Sequence, residues 1–565
     1  MSIKLKIFSV IPCLMLISGC APLWGVLVPP VPTVDVSQMM QTLIPPTGTP
    51  PVVITPLPTS TPVLPTPTST VQAADTLWIS PAVPQYLRRD LENSGLPLAA
   101  QPAEASVRLG PVGFDQAYIS ESIYVLVAPF PELTDSVSLA DLRSTWSGQP
   151  LGDVDGHVLW MEESTREAMT LLWGTPAQAG VYTAPADQLL MNAWVEPYGW
   201  AIVPFDQLEP RWKVLAIDGQ NPLWNTFDPA GYPLKLHFQL DPIPYPLAAT
   251  NRDPSRLTVL AMTGVTALVR GTADRMERKG LLYPGEEVRS VLIQADLAHI
   301  SNEIPFVDGC PEPDPYSDSL VFCSDPRYIA LLEDVGTDVV ELTGNHTRDH
   351  GSPPFLNTLD MYNQRGWAYF GGGADLADSQ KSIQITHNGN RLAFIGCNFA
   401  GPDFAWATLD RPGSAPCDFA FLQAEVSRLR ALGSLPVVTF QYNEYYMPYP
   451  TPYEREDFRL MAEAGAVIVS GSQSHVPAAM EFYGPSLLHY GLGNLFFDQM
   501  AYPLPNGEMT DATRNLFIDR HVFYNGRYIN TELLTYRLED YSRPRPMTAN
   551  ERRLFLQFIF DAAGW

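Results

Sequence analysis

The side chains best equipped for chemistry in this sequence gather at four places. Asn345-His346, with Asp349 and Gly351 just after, follows a strand-like apolar run. Gly471-Ser472-Gln473-Ser474-His475 follows another. Glu303 comes soon after the strand-like Asp296-Leu297-Ala298-His299-Ile300, and Gly491-Leu492-Gly493-Asn494 leads into Leu495-Phe496-Phe497-Asp498. An amide oxygen such as that of Asn345, or a neutral imidazole such as His475, can ligate a metal. His346, beside Asn345, is then free to donate a proton or stabilise a leaving oxygen, and Glu303 is a ligand or a base. Each residue alone has a plainer reading: a strand-end histidine, or an asparagine that forms a turn. Their order along the chain favours a site.

The elements that must position them read as an α/β layer structure. Leu257-Thr258-Val259-Leu260-Ala261-Met262, Asp338 to Leu342, Leu392 to Gly396, Leu435 to Phe440 and Ala466 to Ser470 are buried-strand candidates. Phe419 to Leu432 and Glu454 to Ala464 are helical, and Leu516 to Leu538 alternates as closing strands. Loops bearing His, Asn and Glu after such strands place chemistry at the carboxyl ends of a sheet.

An earlier folded region starts near Asp75. Thr76 to Ser80, Ile123 to Ala128 and Trp200 to Pro204 read as strands, and Val83 to Ser94 and Leu139 to Trp146 as helices. Ser164, with Glu167 three residues on, is the expected capping box of a helix running to Trp173.

The ordered motifs resemble the CapA family of capsule and poly-γ-glutamate biosynthesis, of calcineurin-like metallophosphoesterase architecture. Its pieces read approximately Gly-Asp, Asn-Leu-Glu, Asn-Asn-His-Thr, His-Trp-Gly, Gly-His-His-Pro-His and Gly-Asn-Phe. The resemblance covers about residues 257 to 505. It implies a metallophosphoesterase-like layered sheet domain, with Asn345 and His475 as metal ligands and His346 and Glu303 in catalytic roles. This chain departs from the pattern. It has Gly264-Val265 for Gly-Asp, Gln441-Tyr442-Asn443 (Glu444 following) for His-Trp-Gly, and Ser472-Gln473 for the first two histidines of the fifth motif. The surviving donors suit one divalent ion or none. Residues 76 to 245 resemble, more weakly, the solute-binding proteins of phosphate-type ABC transporters, through Tyr124 to Ala128, Ser138 to Leu142 and Gly199 to Pro204. That implies a smaller α/β solute-binding-like domain, either working or without ligand.

The start of the chain reads as an address. Lys4 and Lys6 precede an apolar run from Ile7 to Ile17, too short to span a bilayer, and then Ser18-Gly19-Cys20. This resembles a lipobox, implying cleavage before Cys20, lipidation of Cys20 and an extracytoplasmic, membrane-anchored lipoprotein. The stretch from Pro29 to Thr70 is rich in Thr and Pro, has Asp35 as its only charge, and reads as an extended tether. The expected organisation is therefore a signal peptide over 1–19, a tether over 20–75, a solute-binding-like domain over 76–250, a CapA-like domain over 256–505, and completing strands and helix over 506–565. Cys310, Cys323, Cys397 and Cys417 fall in two close pairs, as expected for disulfides 310–323 and 397–417 in an oxidising compartment. A zinc site is the alternative, without CxxC spacing to support it.

A net charge of −26 opposes binding to nucleic acid. The expected partners are the membrane, through the lipid, and an anionic cell-envelope polymer or its precursors. The readings carried forward are a CapA-type surface lipoprotein, an active metal-dependent phosphoesterase or hydrolase of the envelope, and a non-catalytic binding lipoprotein. Tyr442, Tyr445, Tyr446, Tyr449 and Tyr453 are either a stacking wall for a sugar or peptide, or loop packing.

Overall fold

The computed structural model describes residues 75–565, apart from 113–119, 150–151, 153–155, 197–198, 243–246 and 505. The leader, Cys20 and the tether lie outside the described residues. From Ala73 onward the chain forms one compact unit, in which two lobes can be distinguished.

The first lobe is built on a nine-stranded mixed sheet, counted among the described residues. Ser120–Pro129 and Gly199–Pro204 lie next to each other near its centre, and their apolar runs are buried on both faces. The expected helix Leu139–Trp146 forms with those bounds, and the Ser138 hydroxyl accepts the Asp141 N–H at 3.0 Å. The third helix corrects the expected cap. It spans Glu163–Trp173 with Glu162 at the N-cap, so Ser164 and Glu167 lie inside it. Starting two residues earlier puts the Glu163 carboxylate in the first turn, where the helix dipole favours it. Glu167 pairs with Arg166 at 3.0 Å instead of closing a capping box.

The second lobe is a two-layer sandwich. Its first sheet has Leu257–Thr266 at the centre, with Leu297–Asn302, Val339–Glu341 and Ala368–Phe370 running parallel on one side. The antiparallel strands Asn515–Tyr524, Arg527–Glu539 and Arg543–Pro546 complete it on the other, and Asn494–Phe496 pairs with the end of the central strand. The second sheet runs Ile383–His387, Asn390–Asn398, Leu435–Gln441, Ile468–Ser470, Ser486–His489 and Met480–Tyr483 in spatial order. Leu260, Met262, Val339 and Phe370 of the first sheet meet Phe394, Leu435, Val437 and Ile468 of the second in one apolar layer. The helix Pro452–Ala464 on the second sheet carries the capping box that sequence pattern favours: Thr451 and Glu454 satisfy each other's backbone N–H.

Both expected disulfides are formed, Cys310–Cys323 and Cys397–Cys417, closing sequence separations of 13 and 20. By loop-closure entropy each is worth about 3 kcal/mol.

The lobes are tied by more than the chain between them. Leu257, Val259, Val522, Tyr524 and Ile529 join the apolar core of the first lobe. Arg552 grips Asp135 through two hydrogen bonds of 2.7 and 2.8 Å. Asn251 is buried and bonded to both backbone groups of Ile123.

Candidate active site

The parallel strands of the two sheets point their carboxyl ends the same way, and their terminal loops meet there. Glu303 directly follows Leu297–Asn302, and a Cβ on Gly344 would lie 2.7 Å from the Cα of Glu303, so the Asn345 loop runs against it. The Asn345 N–H donates to Gln441 Oε1 of the opposite sheet at 3.2 Å. Gln473 Nε2 reaches back to Ser301 Oγ at 2.7 Å. These bonds between sheets form the floor of a cleft.

His346 Nδ1 bonds Asp349 Oδ2 at 2.8 Å. Burial works against its charge, yet Asp349 and Glu303 together raise its pKa. His475 has a fixed tautomer. Asn494 Nδ2 donates to the Thr513 and His475 carbonyls, so its Oδ1 must accept from His475 Nδ1–H, at 2.8 Å. That leaves His475 Nε2 facing Glu444 Oε1 at 3.5 Å. Burial opposes the imidazolium, but Glu444 and Glu303 push its pKa up to about 9. Burial would raise the Glu444 pKa; His475 and the Tyr446 hydroxyl overcome this and bring it down to about 2. Glu303 shows the opposite balance. Burial outweighs the attraction of His475 and His346, and its carboxyl is held above the usual range. The cleft therefore presents an imidazolium–carboxylate pair next to a buried carboxyl whose pKa is raised.

All four sequence-named residues, Glu303, Asn345, His346 and His475, belong to this cleft. Sequence reasoning gave no role to Glu444 or Gln499 and only a stacking or packing one to Tyr446; the three extend the network through bonds of 2.9 Å from Tyr446 to Glu444 and from Gln499 to Tyr446. The available signal was an acid placed three residues beyond a strand end in an aromatic loop. It also missed Arg270, whose guanidinium lies 4.9 Å from the Phe322 ring and 5.2 Å from that of Phe497. Phe322 in turn packs on His346 at 4.6 Å, and Phe497 on His475 at 5.2 Å. The tyrosine set divides. Tyr442 is buried and stacked on Phe399, and Tyr446 on Tyr502, whereas Tyr445, Tyr449 and Tyr453 are exposed.

The residues present do not fit a two-metal centre. Val265 offers no donor atom, Gln441 Oε1 already accepts the Asn345 N–H, and His475 Nε2 faces a carboxylate as a donor. Nowhere among the described residues do three His, Cys, Asp or Glu side chains form a group able to hold a metal ion. What remains is a set of buried polar atoms without protein partners: Glu303 Oε2, Asn345 Oδ1, Gln441 Nε2 and Gln473 Oε1.

The His475–Glu444 pair gives stability a defined pH window. The His475 pKa lies above its free value of 6.5, so its contribution is full below that pH and is lost as pH rises through about 9. The Glu444 pKa lies below 4.5, so its contribution is full above that pH and fades as pH falls towards about 2. The melting temperature of Glu444→Gln should fall furthest below wild type between these limits and rejoin it above pH 9. A gap that stayed constant with pH would refute the pair.

Fold and cleft define a two-layer α/β domain, with its polar residues gathered at the strand ends. Residues 259–499 match the bacterial capsule synthesis protein family PGA_cap. The chain is 24% identical over 320 residues to the capsule biosynthesis protein CapA of Bacillus anthracis, covering 55% of this chain and 75% of that relative. Similar solved structures include a putative 5'-nucleotidase from Staphylococcus aureus, 14% identical with a TM-score of 0.32, covering 54% of this chain and 58% of that one. An ABC-type phosphate transport receptor from Vibrio cholerae is 10% identical with a TM-score of 0.25, covering 29% of this chain and 85% of that one. At those scores neither structure carries a functional argument.

Proposed function

We propose that this protein is a CapA-type lipoprotein, anchored through Cys20 outside the cytoplasm, that acts on or holds an anionic cell-envelope polymer or its precursors. The observation that carries the reading is the convergence of Glu303, Asn345, His346, Glu444 and His475 in one cleft of the CapA-type domain. Arg270 is paired with Asp498, His346 with Asp349 and His475 with Glu444, so a ligand would be held here by hydrogen bonds to the unpartnered polar atoms of Asn345, Gln441 and Gln473 rather than by net positive charge. His346, oriented by Asp349, and Glu303 are placed to move a proton at a bound group. Two-metal hydrolysis is the less supported reading, because the donors it requires are replaced by Val265, Gln441 and Gln473.

His475→Ala and Asn345→Ala, each replacing the native gene, should abolish or sharply reduce surface polymer. The fold should be kept: His475→Ala loses its buried bond to Asn494, at a cost on the order of 1–2 kcal/mol, and Asn345→Ala keeps its backbone bond to Gln441. Normal polymer in both strains would sink the proposal. Anchoring has its own test: Cys20→Ser should move the folded protein from the membrane fraction to the soluble one. Sedimentation of this variant with membranes in high salt would refute the lipoprotein reading.

A further inference from the structure

We infer that the loop closed by Cys310–Cys323 belongs to the functional site and sets the orientation of His346 through Phe322. The bonds at this point form a closed triangle. Asp349 Oδ2 accepts from His346 Nδ1 at 2.8 Å and from the Phe322 backbone N–H at 2.7 Å. The Phe322 ring lies 4.6 Å from the imidazole of His346. One residue of the loop thus holds both the carboxylate that orients the histidine and the face of its ring. Phe322 also packs against Arg270, which reaches Phe497 and so the wall of His475.

The disulfide closes an excursion of this loop that is otherwise exposed. Its base is pinned: Ser324 bonds Pro305 and Leu268, and Val307 bonds Ser324. Its outer part makes only short-range contacts, and Tyr316, Leu320 and Val321 stand exposed, at 91%, 71% and 59%. Phe322 adjoins Cys323, so the cross-link removes the entropy of that excursion next to the residue facing His346. Asp349 and Phe322 are positioning residues, and the disulfide is the latch. The meaning of the latch rests on the proposed role of His346, but its existence does not.

The test is the ring resonance of His346 in the full chain labelled with 13C-histidine, assigned by its loss in His346→Gln. In Cys310→Ser/Cys323→Ser the His346 signal should move and its Nδ1 proton exchange faster. The signals of buried His299, His489 and His521 should stay in place. Phe322→Leu, which keeps the disulfide and a buried apolar side chain, should move His346 as well by removing the neighbouring ring. A His346 signal unmoved in the double variant, with the other three native, overturns the inference. If the double variant loses all native histidine signals, Phe322→Leu decides, and an unmoved His346 signal there overturns it too. A normal polymer phenotype in His346→Gln would count against the functional reading and leave the latch standing.

Discussion

Gly264→Ala should destabilise the protein by more than about 4 kcal/mol, the range reserved for substitutions the backbone cannot absorb. A Cβ at this position would lie 1.9 Å from the carbonyl oxygen of Gly493 and 2.9 Å from its carbon. That carbonyl accepts the Val265 N–H at 3.0 Å, the bond joining the central strand to Asn494–Phe496. Gly493 cannot retreat: its φ is +81° and its own Cβ position lies 2.5 Å from the Asn515 carbonyl oxygen. These glycines belong to the first and last of the ordered motifs, and the structure presses them together behind the cleft. Urea unfolding measures the loss, and a variant within about 1 kcal/mol of wild type would show that the contact relaxes freely.

Glu341→Ala should cost about 3–5 kcal/mol, the penalty for leaving the partners of a buried charge alone. Glu341 is fully buried between the sheets. His299 Nε2 lies 3.2 Å from one of its oxygens, Ser472 Oγ donates to the same oxygen, and Thr343 Oγ1 donates to the other at 2.6 Å. Burial alone would raise its pKa; these partners reverse that and keep it lowered, so the carboxylate is ionised within the core. Alanine removes at once the acceptor of both hydroxyls and the charge that faces His299. Wild-type and Glu341→Ala midpoints that coincide in denaturant would overturn this account.

The strands around the cleft were legible because both sheets bury their parallel strands on two faces, leaving mostly apolar runs such as Leu257 to Met262 and Leu435 to Phe440, each with one threonine. The disulfide pairs were legible from nearness in sequence. Glu444 was not, because its role comes from His475, which sits thirty-one residues later in the chain and reaches it only across the cleft. The buried His299, His489 and His521 read as ordinary core or surface histidines. Their partners Glu341, Asp519 and Thr531 come from other strands or from across the sheet, and strand pairing is not written locally. The Ser164 cap misled because two positions, Glu162 and Ser164, could each cap that helix, and the earlier start places the Glu163 carboxylate in the first turn.

The shared core of the two lobes has a consequence for how the molecule is inherited. Leu257, Val259, Tyr524 and Ile529 fold as part of the second lobe, yet complete the apolar interior of the first. Neither half can therefore be lost, swapped or replaced by recombination without leaving the other with an oily wound. A gene encoding this arrangement is constrained to pass on both halves as one heritable piece, and drift in either half must be matched along that seam.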